Sequence, residues 1–186
     1  MDYLITEPIP QRGTSSVTLR VAQLEDARQI AEVHVATWQA AYRGILPDST
    51  LDEVSVEART ELWQERLSQK GDATTLVLLV DGKIVGWIGL GPARDLDCDP
   101  VRTQQVYGLY LLADYWGQGH GKRLYGTGED RMRKSGATEA ILWVLRDNVR
   151  ARRFYEGQGF SLDETRSEQA YQGDPSMIEV RYRKPL

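Results

Sequence analysis

The chain has few of the residues that build disulfides, metal sites and membrane spans. Its 186 residues include one cysteine, Cys98, and two histidines, so an internal disulfide cannot form and no Cys/His cluster is available for zinc. No apolar stretch approaches the ~20 residues of a membrane span, and the first residues carry Asp2, Glu7 and two prolines instead of a signal-peptide core. We therefore expect no metal, no membrane insertion and a reducing, cytoplasmic setting.

A concentrated basic face is also missing. The 23 Lys and Arg residues are outnumbered by 27 Asp and Glu residues, and the formal net charge is −4, which argues against binding to a nucleic acid backbone. The 41% of hydrophobic residues is typical of a globular protein. We expect a loose leader over residues 1–16, where prolines, Gly13 and small polar residues favour turns, and a single domain over 17–186.

Hydrophobic spacing predicts eleven elements in the order β-α-α-β-β-β-α-β-α-β-β. They are a strand at 17–21, helices at 25–42 and 51–69, strands at 74–80, 83–90 and 104–112, a helix at 119–135, a strand at 139–145, a helix at 148–158 and two strands between 160 and about 182. Asp81-Gly82 predicts a hairpin turn, and residues 91–102 predict a mobile loop. The fold class is mixed α/β, with a mostly antiparallel sheet of about seven strands, flanking helices and one parallel step.

A glycine-rich turn lies between a predicted strand and a predicted helix. Residues 115–122 read Tyr-Trp-Gly-Gln-Gly-His-Gly-Lys, and alternate glycines let the backbone approach a ligand with its N–H groups free. The N-terminus of a helix favours negative charge. The turn and the helix together therefore indicate a ligand that carries a diphosphate. Both common nucleotide motifs fail, because a Rossmann motif would need glycine in place of Leu124 and a Walker A motif would need it in place of Trp116. A plain tight turn is the alternative.

Residues 109–121 resemble the acetyl-CoA motif of the GCN5-related N-acetyltransferase (GNAT) family, a strand followed by Gln/Arg-x-x-Gly-x-Gly/Ala. Gly119 and Gly121 match this motif, and Trp116 replaces its Gln or Arg. The resemblance implies the GNAT fold, with acetyl-CoA as co-substrate. By resemblance, backbone N–H groups near the end of the strand hold the pantetheine arm and polarise the thioester carbonyl. The implied cofactor contacts are Leu111, Leu112, Gly117, Gln118, Gly119, His120, Gly121 and Lys122.

A second segment, residues 148–160, resembles the family signature Asn-x-x-Ala-x-x-Phe-Tyr-x-x-x-Gly-Phe. Every named position is filled, at Asn148, Ala151, Phe154, Tyr155, Gly159 and Phe160. Asn148 and Tyr155 are about two helical turns apart, so their side chains point along one face. The resemblance implies that Asn148 helps to bind the cofactor and that Tyr155 is the general acid that protonates the sulfur. The alternatives are a helix cap at Asn148 and a packing role for Tyr155.

Residues 37–48 resemble a segment of many bacterial family members, in the helical region beside the acceptor site. Trp38 and Tyr42 are therefore candidate substrate contacts, although aromatic residues four apart also pair in helix cores. Family members often carry a glutamate base at the position aligned with Gln105, and glutamine cannot act as a base. Asp114, Glu156 and an acidic loop with Asp95, Asp97 and Asp99 offer other carboxylates. The base therefore stays unassigned.

The resemblance implies an N-acetyltransferase. The expected reaction moves an acetyl group from acetyl-CoA to a primary amine of a small molecule or peptide, by direct attack in a ternary complex. The alternative is a non-catalytic acyl-CoA-binding or sensor protein that has lost its base, as Gln105 suggests. A homodimer is compatible with the family, and neither a nucleic acid nor a membrane is an expected partner.

Overall fold

A computed structural model describes residues 15–46, 48–69, 71–164, 168–171 and 174–186. The expected leader at 1–16 lies outside these ranges except for its last two residues. Ser16 is held against the hairpin turn, because its N–H donates to Asp81 Oδ1 at 2.9 Å and the Asp81 N–H donates back to the Ser16 carbonyl oxygen at 2.9 Å.

The structure confirms the mixed α/β class. The strands are β1 (Val17–Val21), β2 (Thr74–Val80), β3 (Lys83–Pro92), β4 (Thr103–Leu111), β5 (Glu139–Leu145), β6 (Ser161–Leu162), β7 (Glu168–Tyr171) and β8 (Asp174–Pro185). The helices are α1 (Ala27–Tyr42), α2 (Asp48–Asp52), α3 (Val56–Ser68), α4 (His120–Lys134) and α5 (Val149–Gly157). Among the described residues, none of the helices combines the length and apolar character that a bilayer crossing requires.

The strands form one sheet in the order β1-β2-β3-β4-β5-β8-β6, with β7 also paired to β8. In the described part of the chain the expected count of about seven becomes eight, because the C-terminal pair contains three strands. The β4–β5 pair is parallel and the other pairs are antiparallel, as predicted from the single crossover through α4. The hairpin is also confirmed: Asp81 and Gly82 have φ angles of +49° and +79°, which a two-residue turn of this kind requires.

The single helix predicted over 51–69 is wrong, because the chain forms α2 and α3 there. Ser55 begins α3, and its side chain accepts a hydrogen bond from the Ala58 N–H at 3.2 Å. Apolar spacing continues across the break, since Leu51 is buried and Val54 packs beside it. The hydrophobic period alone predicts one continuous helix, and the Ser55 cap interrupts that helix.

One core lies between the sheet and the pair α4 and α5, and it depends on a glycine. A Cβ atom at Gly128 would lie 3.0 Å from Leu90 Cδ1 and 3.2 Å from Ile88 Cδ1, so α4 sits unusually close to β3. The cost of a glycine in a helix interior, about 1 kcal/mol relative to alanine, is offset by this close packing. A glycine that is unfavourable for an isolated helix thus allows α4 to pack closely against β3.

A second core lies on the opposite face of the sheet, beneath α1 and α3. His34 is buried there, with its ring centroid 6.4 Å from Trp63, 5.4 Å from Trp87 and 4.8 Å from Tyr110. Burial, followed by the nearby charges of Arg59 and Arg66, lowers the pKa of His34 to about 3. His34 lies within the helix predicted over 25–42, and the fold makes it a neutral part of an aromatic cluster.

The loop between β3 and β4 is anchored by a buried arginine, which corrects the expectation of a mobile loop over residues 91–102. Arg181 on β8 is 0% exposed, and its guanidinium lies 2.8 Å from Asp95 and 2.7 Å from Asp97. Its Nε atom lies 2.9 Å from Asp163 Oδ2. A buried cation requires such compensation, so Asp95 and Asp97 of the loop are structural.

His34→Leu should remove a large part of the acid sensitivity of the fold. Because the folded pKa of about 3 lies below the unfolded value of about 6.5, the folded protein binds fewer protons. The His34 contribution is therefore complete above pH 6.5 and is lost as pH falls towards 3. Between pH 7.5 and 4.5 the wild type should lose about 2–3 kcal/mol through this residue. Urea unfolding across this range measures the loss, and equal pH dependence in both proteins would refute the assignment.

Arg181→Met should destabilise the protein by about 3–5 kcal/mol at neutral pH, because it leaves carboxylates uncompensated. Arg28→Met is the matched control. Arg28 forms an exposed ion pair with Glu32 at 3.2 Å, and its removal should change the free energy of unfolding by about 0.5 kcal/mol or less. Urea denaturation measures both effects. Similar losses in the two variants would show that Arg181 does not hold the loop.

Candidate active site

The site begins where β4 and β5 separate. Their parallel ladder runs only from Thr103–Glu139 to Val106–Leu142. At the same point, β4 has an extra residue, Tyr107, because Gly89 of β3 pairs with Gly108 while Leu90 pairs with Val106. Such a bulge bends its strand away from the regular ladder. Beyond the bulge, residues 107–111 and 143–145 line a cavity of about 500 Å³ that passes between the strands.

The glycine-rich turn forms one end of this cavity. Gly117 and Gly119 have φ angles of +73° and +81°, and a Cβ atom at either would meet open space. Both glycines are therefore required by backbone conformation. Gly121 packs closely instead, since a Cβ there would lie 3.3 Å from the Phe154 ring. The first N–H groups of α4 have no helical acceptor and are available to an anion.

The structure separates the predicted cofactor contacts into two groups. Leu111, Gly117, Gly119, Gly121, Lys122 and Asn148 line the cavity, whereas Leu112, Gln118 and His120 do not. Gln118 instead donates to the Asp114 carbonyl oxygen at 2.6 Å, and His120 packs against Tyr115. The expected donor at Leu112 must be corrected, because its N–H already donates to the Val85 carbonyl oxygen at 2.9 Å.

Trp116 has a structural role at the position where the family motif has Gln or Arg. Its Nε1–H donates to the Leu111 carbonyl oxygen at 2.6 Å, which joins the end of β4 to the glycine turn. The Arg150 guanidinium stacks 3.9 Å from the centre of the Trp116 ring, and both residues line the cavity. Arg150 and Lys122 thus make this end cationic. The signature did not reveal Arg150, which occupies one of its variable positions.

Asn148 and Tyr155 meet at the cavity, and for Asn148 both predicted roles are compatible. Its Oδ1 atom accepts a hydrogen bond from the Ala151 N–H at 3.1 Å, which caps α5, while the residue also lines the cavity. Tyr155 is 7% exposed. Burial, with a smaller effect of Tyr42, raises the pKa of Tyr155 well above its usual range. Its phenol is therefore a neutral hydrogen-bond donor.

The cavity is also lined by a tyrosine cluster, which consists of Tyr42, Tyr110, Tyr155 and Tyr171. Burial, followed by the neighbouring Tyr171, raises the pKa of Tyr42 to about 12, and burial also raises the pKa of Tyr110. Trp38 packs edge-on against Tyr42 with ring centroids 5.4 Å apart. Trp38 and Tyr42 are therefore both core residues and cavity residues.

Gln105 and the carboxylates considered from sequence lie away from the cavity. Gln105 accepts a hydrogen bond from the Arg94 N–H at 3.1 Å, and Glu156 accepts one from the Tyr182 hydroxyl at 2.6 Å. Asp95, Asp97, Asp99 and Asp114 likewise do not line it. Among the described residues the single carboxylate in the lining is Glu179 of β8. No local motif marks Glu179, because it is distant in sequence from both signatures.

The site joins an anion cradle at a helix N-terminus, a split sheet and a buried phenol, a combination that suits an acyl-transfer enzyme. The acetyltransferase (GNAT) family model matches residues 33–160. YuaI of Bacillus subtilis, an uncharacterized N-acetyltransferase, is 30% identical over 132 residues, 71% of this chain and 73% of that protein. The chain therefore belongs to the GNAT family of acetyltransferases.

More distant relatives share most of the chain. The spermidine N(1)-acetyltransferase of Thermoplasma acidophilum is 26% identical over 154 residues, 81% of this chain and 91% of the relative. The crystal structure of the PaiA N-acetyltransferase from Thermoplasma acidophilum in complex with coenzyme A superposes with a TM-score of 0.68 and 24% identity, over 92% of this chain and 99% of that one. At this identity the superposition establishes the fold alone.

Gly119→Ala should weaken acetyl-CoA binding about tenfold, because a left-handed conformation costs a non-glycine residue roughly 1–2 kcal/mol. Gly126→Ala in α4 is the matched control. A Cβ at Gly126 meets nothing within 4 Å, so this change should leave the affinity unchanged and stabilise the fold by about 0.5–1 kcal/mol. Calorimetric titration and urea unfolding measure the two quantities. Equal affinity in both variants would mean that the turn does not bind the cofactor.

Proposed function

We propose that the protein transfers an acetyl group from acetyl-CoA to a primary amine of a small molecule or peptide, with both substrates bound together. The observation that carries this proposal is a continuous cavity. It runs from the cationic glycine turn, through the gap between β4 and β5, to the tyrosine cluster and Trp38. A polyanionic cofactor and an amine can thus approach each other from opposite ends.

The residues at the cationic end fit a diphosphate. Gly117 and Gly119 face open space where side chains would otherwise stand, the first N–H groups of α4 supply donors, and Lys122 and Arg150 supply charge. Beyond Val106, the described part of β4 has no ladder partner in β5, so a backbone N–H group such as that of Leu111 can face a pantetheine arm. The bound cofactor would supply an acetyl thioester at the gap in the sheet.

Tyr155 is the proposed proton donor to the leaving sulfur. Attack by a neutral amine forms the C–N bond, and the C–S bond then breaks with its electron pair on sulfur. A thiolate leaves more readily when a nearby acid protonates it. The raised pKa of Tyr155 keeps its proton available throughout the physiological range. Ionisation of Tyr155 should therefore not limit activity on the alkaline side up to about pH 10.

The acceptor end suits an amine. Its walls are aromatic, with Trp38, Tyr42 and Tyr171, and aromatic faces attract ammonium groups. A relative that matches most of this chain is named for acetylation of spermidine, which makes polyamines a first class of acceptor to test. Single amines, aminoglycosides, amino acids and peptides complete the panel.

Thiol release from acetyl-CoA across this panel should require an amine and should fall at least about 100-fold in Tyr155→Phe. Calorimetric affinity for acetyl-CoA should change by no more than about twofold. Tyr115→Phe is the matched control, because Tyr115 packs against His120 outside the cavity lining. The Tyr115 variant should keep wild-type turnover.

Two results would count against this proposal. Unchanged turnover in Tyr155→Phe would remove the proton-donor role from Tyr155. Tight acetyl-CoA binding without thiol release for any amine would favour the alternative, a non-catalytic acyl-CoA-binding or sensor protein, for which the glutamine at position 105 is the motivating feature.

A further inference from the structure

Glu179 places a carboxylate in the wall of the cavity, at the end opposite the glycine turn. It lies on β8, where it pairs with Leu145 of β5 and with Gln169 of β7. Leu145 also lines the cavity. This position follows from the topology, since β8 returns between β5 and β7 and carries its residue 179 to the edge of the gap.

The charge of Glu179 is not neutralised by the described residues. Its side chain is half-buried, it forms no ion pair there, and the Gln169 Nε2 amide donates to Glu179 Oε2 at 3.2 Å. Arg181, two residues along the same strand, is instead engaged by Asp95, Asp97 and Asp163. A half-buried carboxylate that faces a cavity and has no cationic partner favours the binding of a cationic group there.

The cavity is therefore electrically asymmetric. Lys122 and Arg150 line the end that faces the glycine turn, and Glu179 lines the other. Aromatic rings surround the acidic end, where Trp38, Tyr42 and Tyr171 line the wall and can contact an ammonium group and its alkyl chain. An acceptor with a carboxylate beside its amine would be repelled at this end.

We propose that Glu179 binds the ammonium group of the acceptor and removes its proton before attack. This inference rests on the proposed acetyl transfer and names the base that the reaction needs. Gln105 cannot serve, because an amide is not a base at this pH and its oxygen is bound to the Arg94 N–H. Burial raises the pKa of Tyr42, Tyr110 and Tyr155, so these neutral phenols can position the amine but cannot deprotonate it.

The chemistry requires such a group. An alkylamine with a pKa of about 10.4 is neutral in only about one molecule in 2,500 at pH 7. One ammonium proton passes to the Glu179 carboxylate, and the freed lone pair attacks the thioester carbon. The C–S bond breaks, the sulfur takes the Tyr155 proton, and the remaining excess proton on nitrogen restores the phenol. Glu179 then releases its proton to solvent, so the step balances as amide, free thiol and one proton.

The environment favours this role. Burial, opposed by the Gln169 hydrogen bond and reinforced by Asp95, raises the pKa of Glu179 above its ordinary value, which makes the carboxylate a stronger base. Among the described residues, Asp95 in the loop before β4 and Tyr42 on α1 interact electrostatically with Glu179, Tyr171 on β7 lines the same cavity, and Arg181 lies two residues along β8. Of these, Tyr42 senses the carboxylate directly, since Glu179 contributes to its raised pKa.

Glu179→Gln keeps the shape of the side chain and removes its charge. With spermidine and a lysine-containing peptide as probes, kcat/KM should fall roughly 100-fold or more for each amine that the wild type acetylates. Calorimetric binding of spermidine to the coenzyme A-loaded protein should weaken about tenfold. Affinity for acetyl-CoA and the urea midpoint should match the wild type. Glu168→Gln, the same change at an exposed position of β7, is the control and should leave turnover unchanged.

The pH profile separates proton removal from packing. Wild-type kcat/KM should fall as pH decreases through the pKa of Glu179, because the protonated carboxyl neither attracts an ammonium group nor accepts its proton. Glu179→Gln should lack this acid limb. Glu179→Asp, which retains the charge on a shorter side chain, should keep the limb and show turnover between those of the wild type and Glu179→Gln.

Three outcomes would overturn the inference. Turnover in Glu179→Gln within threefold of wild type, or an unchanged acid limb in that variant, would show that another group takes the proton. Loss of the limb in Glu179→Asp would show that the side chain acts through packing. In these cases wild-type turnover would still support acetyl transfer, whereas a wild type that releases no thiol with any amine would overturn both proposals.

Discussion

The short parallel pairing between β4 and β5 is the constraint on which the rest of the site depends. Four residues of each strand pair, and the bulge at Tyr107 then turns β4 away. Backbone groups at a sheet interior are normally consumed by neighbouring strands. Here the gap frees them and opens a passage through the sheet, so groups on opposite faces can meet.

The charges that line this passage depend in part on ion pairs formed outside it. Arg181 lies in the interior, and its guanidinium binds Asp95 and Asp97 of the acidic loop before β4. Glu179 remains the acidic group of the lining, and Arg150 and Lys122 remain at the opposite end. This ion network engages two loop carboxylates outside the cavity lining and fixes the loop beside the cavity.

Burial also sets protonation in this molecule. The same desolvation that keeps His34 neutral beneath α1 keeps the Tyr155 phenol protonated in the cavity. It also favours the neutral form of Glu179 and so increases its basicity. These effects follow from one cause, the cost of a charge in a poorly solvated site. The two residues differ in their access to the cavity, because Tyr155 lines it and His34 does not.

The sequence alone determined the features that depend on neighbours in the chain. The Asp81-Gly82 hairpin, the glycine turn before α4 and the helix spacing of Asn148 and Tyr155 are local, because backbone conformation and helix period require only a few consecutive residues. The break at Ser55, the roles of Arg150 and Arg181 and the position of Glu179 were decided by the tertiary structure. Each depends on a cap, a stacking contact or a strand pairing between distant segments, and no local period records where those segments meet.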